Sequence, residues 1–164
     1  MLSRFCLSMQ RFLLSAWIGA AVLFVITSVA EQQFPGFEPE IRNQLATIRF
    51  PKYYAMGFVV VLASLGCSVG RLSSGTRSKT DRAVLGLLVL AGVTMLIDFV
   101  FIYRPLHAMM IDLQRPRDTE FQWYHQASKY INSFGILLTF VAAILVCRNM
   151  DGPPSPEAPS QTNS

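Results

Sequence analysis

The sequence predicts an all-α integral membrane protein, a four-helix transmembrane bundle, and three observations support this prediction. Of the 164 residues, 52% are hydrophobic and only 15% are charged, whereas soluble domains carry about 25% charged residues. The mean hydropathy is +0.39. The chain also contains four apolar runs that are long enough, at about 20 residues each, to cross the core of a bilayer. These runs use most of the chain and leave no room for a second folded domain.

The first predicted span covers residues 12–30, after a short segment, residues 1–10, that we expect in the cytoplasm. The small-x-small sequence from Ser28 to Ala30 is also typical of a secretory signal peptide. The apolar run is, however, longer than the roughly 7 to 15 residues of a signal-peptide core. Its length therefore favours a helix that is retained in the mature protein.

The second predicted span covers residues 53–70 and opens with two tyrosines, as helices that start at a membrane interface often do. Within it, Gly66 and Gly70 form a GxxxG pattern, which allows close helix packing. Since four helices alone leave little room for a pathway, we expect a homo-oligomer or a complex with other membrane proteins, within the lipid bilayer.

The third and fourth predicted spans cover residues 83–103 and 130–147. The third ends at Pro105, which lacks the backbone N–H that the carbonyl of Phe101 would use, so we expect the helix to kink or stop there. The following residues, 106–114, have the pattern of a short amphipathic helix that lies on the membrane surface, with its apolar residues on one face.

A carboxylate inside the third span, Asp98, is the first candidate for a functional residue. It precedes Arg104 by six residues, which corresponds to about 9 Å of helix. The fourth span and its lead-in carry a stripe of polar and small residues at helical spacing, which should face protein or water rather than lipid. The stripe consists of His125, Ser128, Asn132, Gly135 and Thr139.

We expect Asp98 to face this stripe and to form a polar membrane site with hydrogen-bond donors. The candidate donors are Asn132, Ser128, His125 and Arg104. In one interpretation the carboxylate is a structural lock between spans three and four. In the other it belongs to a site for a proton, a metal or a ligand, which is the usual interpretation of an ionisable residue inside a membrane. The position near the interface favours the lock.

No cofactor is predicted, and no catalytic residue is assigned. The sequence contains no HExxH, P-loop, GxSxG or CxxC motif. His125, with or without His107, and with Met109 and Met110 nearby, leaves haem or copper binding as an alternative.

The loop between spans two and three, residues 71–82, carries four basic residues and one acidic residue. Short basic loops remain in the cytoplasm, so we expect both termini there, in a bacterial cytoplasmic membrane. The basic residues are scattered rather than clustered with aromatic residues, which argues against nucleic-acid binding. Residues 149–164, rich in proline and serine, are predicted to be a disordered tail.

Three elements together give a resemblance to a known family. They are the glycine-containing first span, Asp98 to Pro105 at the end of the third span, and Phe121, His125, Ser128 and Asn132 in the lead-in to the fourth. This combination resembles a four-span membrane family of unknown function that includes transmembrane protein 205, in which asparagine is more frequent at the position of Asp98. The layout is also similar to that of copper-resistance-D-like proteins and a haem-linked protoporphyrinogen oxidase, which bind copper or haem through histidines in their spans.

The predicted function is that of a non-enzymatic transport or assembly component with a polar site between spans three and four. A haem- or copper-binding redox protein and a scaffold without a ligand are the alternatives.

Overall fold

The computed structural model describes residues 2–74, 78–112 and 118–148, and in this part of the chain all regular structure is helical. The predicted tail, residues 149–164, lies outside the described residues. The helices are α1 (Leu2–Gln33), α2 (Pro39–Ser73), α3 (Lys79–Ile97), a π-helical segment (Asp98–Tyr103), α4 (Arg104–Ile111) and α5 (Thr119–Arg148).

Four helical stretches are long and apolar enough to cross a membrane, which confirms the predicted all-α four-span bundle. They are Ser3–Gln33, Pro39–Ser73, Lys79–Ile111 and Thr119–Arg148. Each contains one of the predicted spans and is longer than it. The largest extension is in α2, which begins at Pro39 and includes Pro51, so most of the stretch that the sequence predicted as the first loop is helical.

The four long helices pack as a ring, in which α1 and α3 each contact both α2 and α5. One core cluster, around Leu14, Leu88 and Ala142, is fully buried. Many large apolar side chains face outward instead, among them Val59 and Leu62. An apolar outer surface fits a lipid environment, because lipid tails are themselves apolar.

The N-terminal part of α1 and the C-terminal part of α5 lie at the same end of the bundle. The guanidinium Nε of Arg11 donates to the backbone carbonyl of Val146 at 3.1 Å. We call this the terminal end, and it also contains the link between α2 and α3. The opposite end, with the turn between α1 and α2, is the loop end.

The prediction for Pro105 was a kink or an end, and the third span does not end there: a π-helical segment precedes Pro105 and the helix continues after it. The backbone N–H of Arg104 donates to the carbonyl of Phe99, five residues earlier, as in a π-helix. Pro105 then occupies the first turn of α4, where a missing N–H costs little. The helical path therefore continues to Ile111, which follows Asp98 by 13 residues.

The predicted amphipathic helix after Pro105 is present as α4. Its apolar residues Leu106, Met109 and Met110 are buried. Leu106 and Met110 form a cluster with Ala46 of α2, and the half-buried Phe121 of α5 packs against it. The apolar face of α4 thus packs against protein, whereas a surface helix was expected to lay it on the membrane. Residues 113 and 114 of the predicted helix lie outside the described residues.

Candidate functional site at Asp98

Asp98 lies where α3 passes into the π-helical segment, and it is completely buried. A π-helical turn inside an α-helix often marks a functional position. Three side chains from two other helices surround the carboxyl group: Tyr54 of α2, and Ser128 and Asn132 of α5. The site therefore connects three of the four spanning helices.

One oxygen of the carboxyl group, Oδ2, accepts two hydrogen bonds. The phenolic hydroxyl of Tyr54 donates to it, and the side-chain amide Nδ2 of Asn132 donates to it at 2.6 Å. The same amide nitrogen lies 3.1 Å from the Tyr54 oxygen and 3.2 Å from the hydroxyl oxygen of Ser128. Asn132 thus stands at the centre of the network and orients both neighbours.

The other carboxyl oxygen, Oδ1, has no hydrogen-bond partner among the described residues. Asp98 lines a cavity of about 20 Å³ at the middle of the bundle, and a volume above about 10 to 15 Å³ is enough for one water molecule. The other residues that line the cavity come from all four spanning helices. They are Trp17 of α1, Tyr53 and Val61 of α2, Ala91 and Met95 of α3, and Ile131, Asn132, Gly135, Ile136 and Thr139 of α5.

An aromatic cluster covers the Asp98 site towards the loop end. The ring of Tyr54 lies 4.7 Å from that of Tyr103 and 5.3 Å from that of Phe99. Tyr103 is in turn 5.4 Å from the imidazole of His107. The hydroxyl of Tyr103 is buried without a hydrogen-bond partner in the described part of the chain. These rings shield the carboxyl group from water on this side.

The structure brings together part of the predicted polar site. Asp98, Ser128 and Asn132 are adjacent, and Gly135 and Thr139 of the same stripe line the cavity. Arg104 is exposed and forms none of the hydrogen bonds to Asp98. His125 is also exposed, and its ring stacks on that of Phe121 at 6.2 Å.

The main partner that the sequence analysis missed is Tyr54. It was interpreted with Tyr53 as an aromatic residue at the membrane interface, because the second span was placed from residue 53. Since α2 begins at Pro39, Tyr54 instead lies inside the helix and is 1% exposed. The spacing of Tyr54 from the true helix start is the signal that could have identified it.

The histidines of the haem or copper alternative lie on α4 and α5. His107 is half-buried beside Tyr103, and His125 is exposed beside Phe121. Within the described ranges, no group of three or more His, Cys, Asp and Glu side chains is arranged to hold a metal ion. The alternative is tested by elemental analysis, in which His125→Ala should remove bound iron or copper.

A second buried polar cluster, which the sequence analysis did not predict, lies at the terminal end. Arg71 of α2 forms a 2.5 Å ion pair with Asp81 of α3, and both side chains are about 95% buried. Gln10 of α1 accepts from Arg71 at 3.5 Å and donates to the hydroxyl of Ser68 at 2.7 Å. This cluster joins three helices, as the Asp98 site does.

The two glycines of the GxxxG pattern differ in their surroundings. A Cβ atom on Gly70 would lie 3.6 Å from the thiol sulfur of Cys6 in α1, so this glycine allows contact between α1 and α2. A Cβ atom on Gly66 would meet nothing within 4 Å, and the residue is exposed. Only Gly70 therefore contributes to packing within the chain.

Comparison with known proteins identifies a family. Residues 12–115 match the family model described as a domain of unknown function (DUF4149), so the chain belongs to that family. The match includes Asp98 and Pro105 but ends before the helix that carries Ser128 and Asn132. It confirms a family of unknown function and gives no support to a link with transmembrane protein 205. No curated protein and no solved structure matches the chain.

Proposed function

We propose that this member of the DUF4149 family is a non-enzymatic transport component of the membrane, which exchanges a small ion at Asp98. One observation carries the proposal: a fully buried carboxyl group keeps one oxygen without a protein partner and lines a cavity. Buried polar groups that serve only structure are normally satisfied by hydrogen bonds. An ionisable group inside a membrane that keeps free bonding capacity is typical of an ion pathway.

The cavity lies close to the outer surface of the bundle on the α5 side. Ile131, Gly135 and Ile136 on α5 are only half-buried although they line it. The walls are largely apolar and the volume is that of about one water molecule. A small ion therefore suits this site better than an organic solute.

The assembly or scaffold function is the second candidate, because the hydrogen bonds at Oδ2 also connect α2, α3 and α5. A network of this kind can fix the packing of a bundle without binding a ligand. The two candidates differ in the role of Oδ1. A transport component needs Oδ1 to bind the ion, whereas a scaffold needs only the hydrogen bonds at Oδ2.

For the orientation, we propose that the terminal end faces the cytoplasm of a bacterial cell. This end contains Arg11 and Arg71 together with the basic link between α2 and α3. Gly66 faces outward and offers a surface for a second copy or another membrane protein.

The test is a current measurement on the full chain reconstituted in liposomes on a solid-supported electrode. Steps in proton, Na⁺ and K⁺ concentration are applied in turn. We expect a current with at least one of these ions, lost in Asp98→Asn and kept in Gly66→Ala, whose added methyl group meets no neighbour. Absence of current with every ion, from protein that is folded, would favour the scaffold.

A further inference from the structure

We propose that the ion exchanged at Asp98 is the proton, held by the carboxyl group and passed through a single water molecule in the adjoining cavity. This inference rests on the proposed function and specifies its ligand.

The cavity is too small and too apolar for a metal ion. Its volume of about 20 Å³ accommodates one water molecule, and its polar liners are Asp98, Asn132 and Thr139, besides the ring-bearing Trp17 and Tyr53. The Thr139 hydroxyl already donates to the carbonyl of Ile136 in its own helix at 2.8 Å. Ca²⁺ and Mg²⁺ need about six oxygen ligands or more, which these side chains do not provide.

No cation in the described part of the chain faces the carboxyl group. The groups that face it are the phenols of Tyr53, Tyr54 and Tyr103, and the neutral side chains of Ser128 and Asn132. His107 is separated from Tyr54 by the ring of Tyr103, and Arg104 is exposed. From α1, only Trp17 lines the cavity.

A buried carboxylate without a cation is costly, because the low-dielectric interior solvates its charge poorly. Uptake of one proton removes that charge without moving any other group. The arrangement around Asp98 therefore suits a site that binds and releases a proton.

The two oxygens of the carboxyl group have different roles. Oδ2 accepts from Tyr54 and Asn132 whether or not the group is ionised, so these bonds hold the carboxyl group in place. Oδ1 is the atom that gains and loses the proton. On release, the O–H bond at Oδ1 breaks and the proton moves to the cavity water, while that water gives one of its own protons to a water molecule outside the cavity; on uptake, the same transfer runs in reverse.

Gly135 forms part of the cavity wall, and a Cβ atom there would meet no atom within 4 Å. A larger side chain at this position can therefore be added without displacing the backbone, and it narrows access to the cavity from this side. Gly66 is equally open but does not line the cavity, so the same substitution there is a matched control.

The experiment is infrared spectroscopy of the full chain in lipid vesicles, recorded over a pH series in H₂O and D₂O. The difference between the natural protein and Asp98→Asn isolates the signal of this carboxyl group. We expect a band from a protonated carboxyl group that shifts in D₂O and loses intensity as pH rises. Gly135→Val should slow its hydrogen–deuterium exchange at least tenfold, and Gly66→Val should leave the rate unchanged.

Two results would overturn the proton proposal: no carboxyl band that disappears in Asp98→Asn at any pH, or equal exchange rates in Gly135→Val and the natural protein. The infrared measurement tests the proton site and the current measurement tests transport, so one proposal can be wrong without the other. A titrating band without current leaves the proton site standing and removes transport. A Na⁺ current without such a band leaves transport standing and removes the proton.

Discussion

Two aspartates on one continuous helical path, Asp81 and Asp98, are both buried, but they are neutralised in different ways. Asp81 forms an ion pair with Arg71, and the hydroxyl of Ser78 donates to its second oxygen at 2.8 Å. In the described part of the chain the donors that contact Asp98 are uncharged, and Tyr54 and Asn132 both act on the same oxygen. The helix thus contains one carboxylate with a cation and one without.

From this difference we infer a structural role for Asp81 and a binding role for Asp98. Removing one partner of a buried ion pair leaves an uncompensated charge, so the Asp81 cluster is suited to hold α2 and α3 in a fixed position. The carboxyl group of Asp98 can change its charge without leaving another charge unpaired. The four predictions below test this contrast through the free energy of unfolding, measured by denaturant in mixed micelles.

The largest effect is expected for Asp81→Asn. The substitution keeps the shape of the side chain but leaves the guanidinium of Arg71, which is buried, without its counter-charge. We expect a loss of about 3 to 5 kcal/mol in the free energy of unfolding.

The double variant Asp81→Asn with Arg71→Gln is the control, because it removes both charges together. Most of the lost stability should return in it. A loss below about 1 kcal/mol in the single variant would show that Arg71 finds water or another partner, contrary to a fixed buried pair.

The next effect is expected for Gly57→Ala, on α2 beside the Asp98 cavity. The added Cβ atom would lie 2.8 Å from Cη2 of Trp17 and 2.9 Å from Cε of Met95. Met95 can move its flexible end, but Trp17 is 3% exposed and packs against Tyr53. We expect a loss of about 1 to 3 kcal/mol.

Gly66→Ala is the matched control for this substitution, because it lies on the same helix with open space around it. It should be neutral or stabilising by up to about 1 kcal/mol, the helix-propensity gain of alanine over glycine. Equal effects at both positions would mean that Trp17 and Met95 adapt freely. The Asp81 cluster should be unaffected by either change.

The sequence was sufficient to predict the four helices and half of the Asp98 site. Long apolar runs are a strong signal, and the stripe on the fourth span has a helical period that places Asn132 and Ser128 on one face. Asp98 is the one charged residue in its apolar run, so its hydrogen-bond partners were expected on a polar face of another span. The pairing followed from this periodicity together with the similar depth of Asp98 and Asn132 in their spans.

The remaining features depend on where helices begin and end, which apolar runs define poorly. Arg71 and Asp81 lie at the edges of such runs and were assigned to a basic loop. Ser78 followed three residues later by Asp81 is a capping pattern, and Ser78 does accept from the backbone N–H of Asp81 at 3.0 Å. That pattern places Asp81 in the first turn of α3, but its partner across the bundle is a tertiary contact that one sequence does not reveal.

A smaller effect is expected for Tyr54→Phe, which removes one of the two donors to Oδ2 of Asp98. A hydrogen bond to a neutral group contributes about 0.5 to 1.5 kcal/mol, and one to a charged group about 1.5 to 3 kcal/mol. Since the carboxyl group is uncharged while it holds the proton, we expect a loss of about 1 kcal/mol in that state. Tyr103→Phe is the control and should be neutral, because its hydroxyl has no partner in the described residues.

The smallest effect on stability is expected for Asp98→Asn, in contrast to the same substitution at Asp81. An asparagine oxygen can accept from Tyr54 and Asn132 as Oδ2 does, and its amide group can donate to the cavity water. We expect a change within about 1 kcal/mol, in either direction, together with loss of the proton current. A loss of 3 kcal/mol or more would mean that the folded protein needs the negative charge at this position, and Asp98 would then belong with Asp81 as a structural residue. A small change in stability with loss of current would separate the two aspartates by function, because the chain would fold without the carboxyl group of Asp98 but could no longer exchange the proton there.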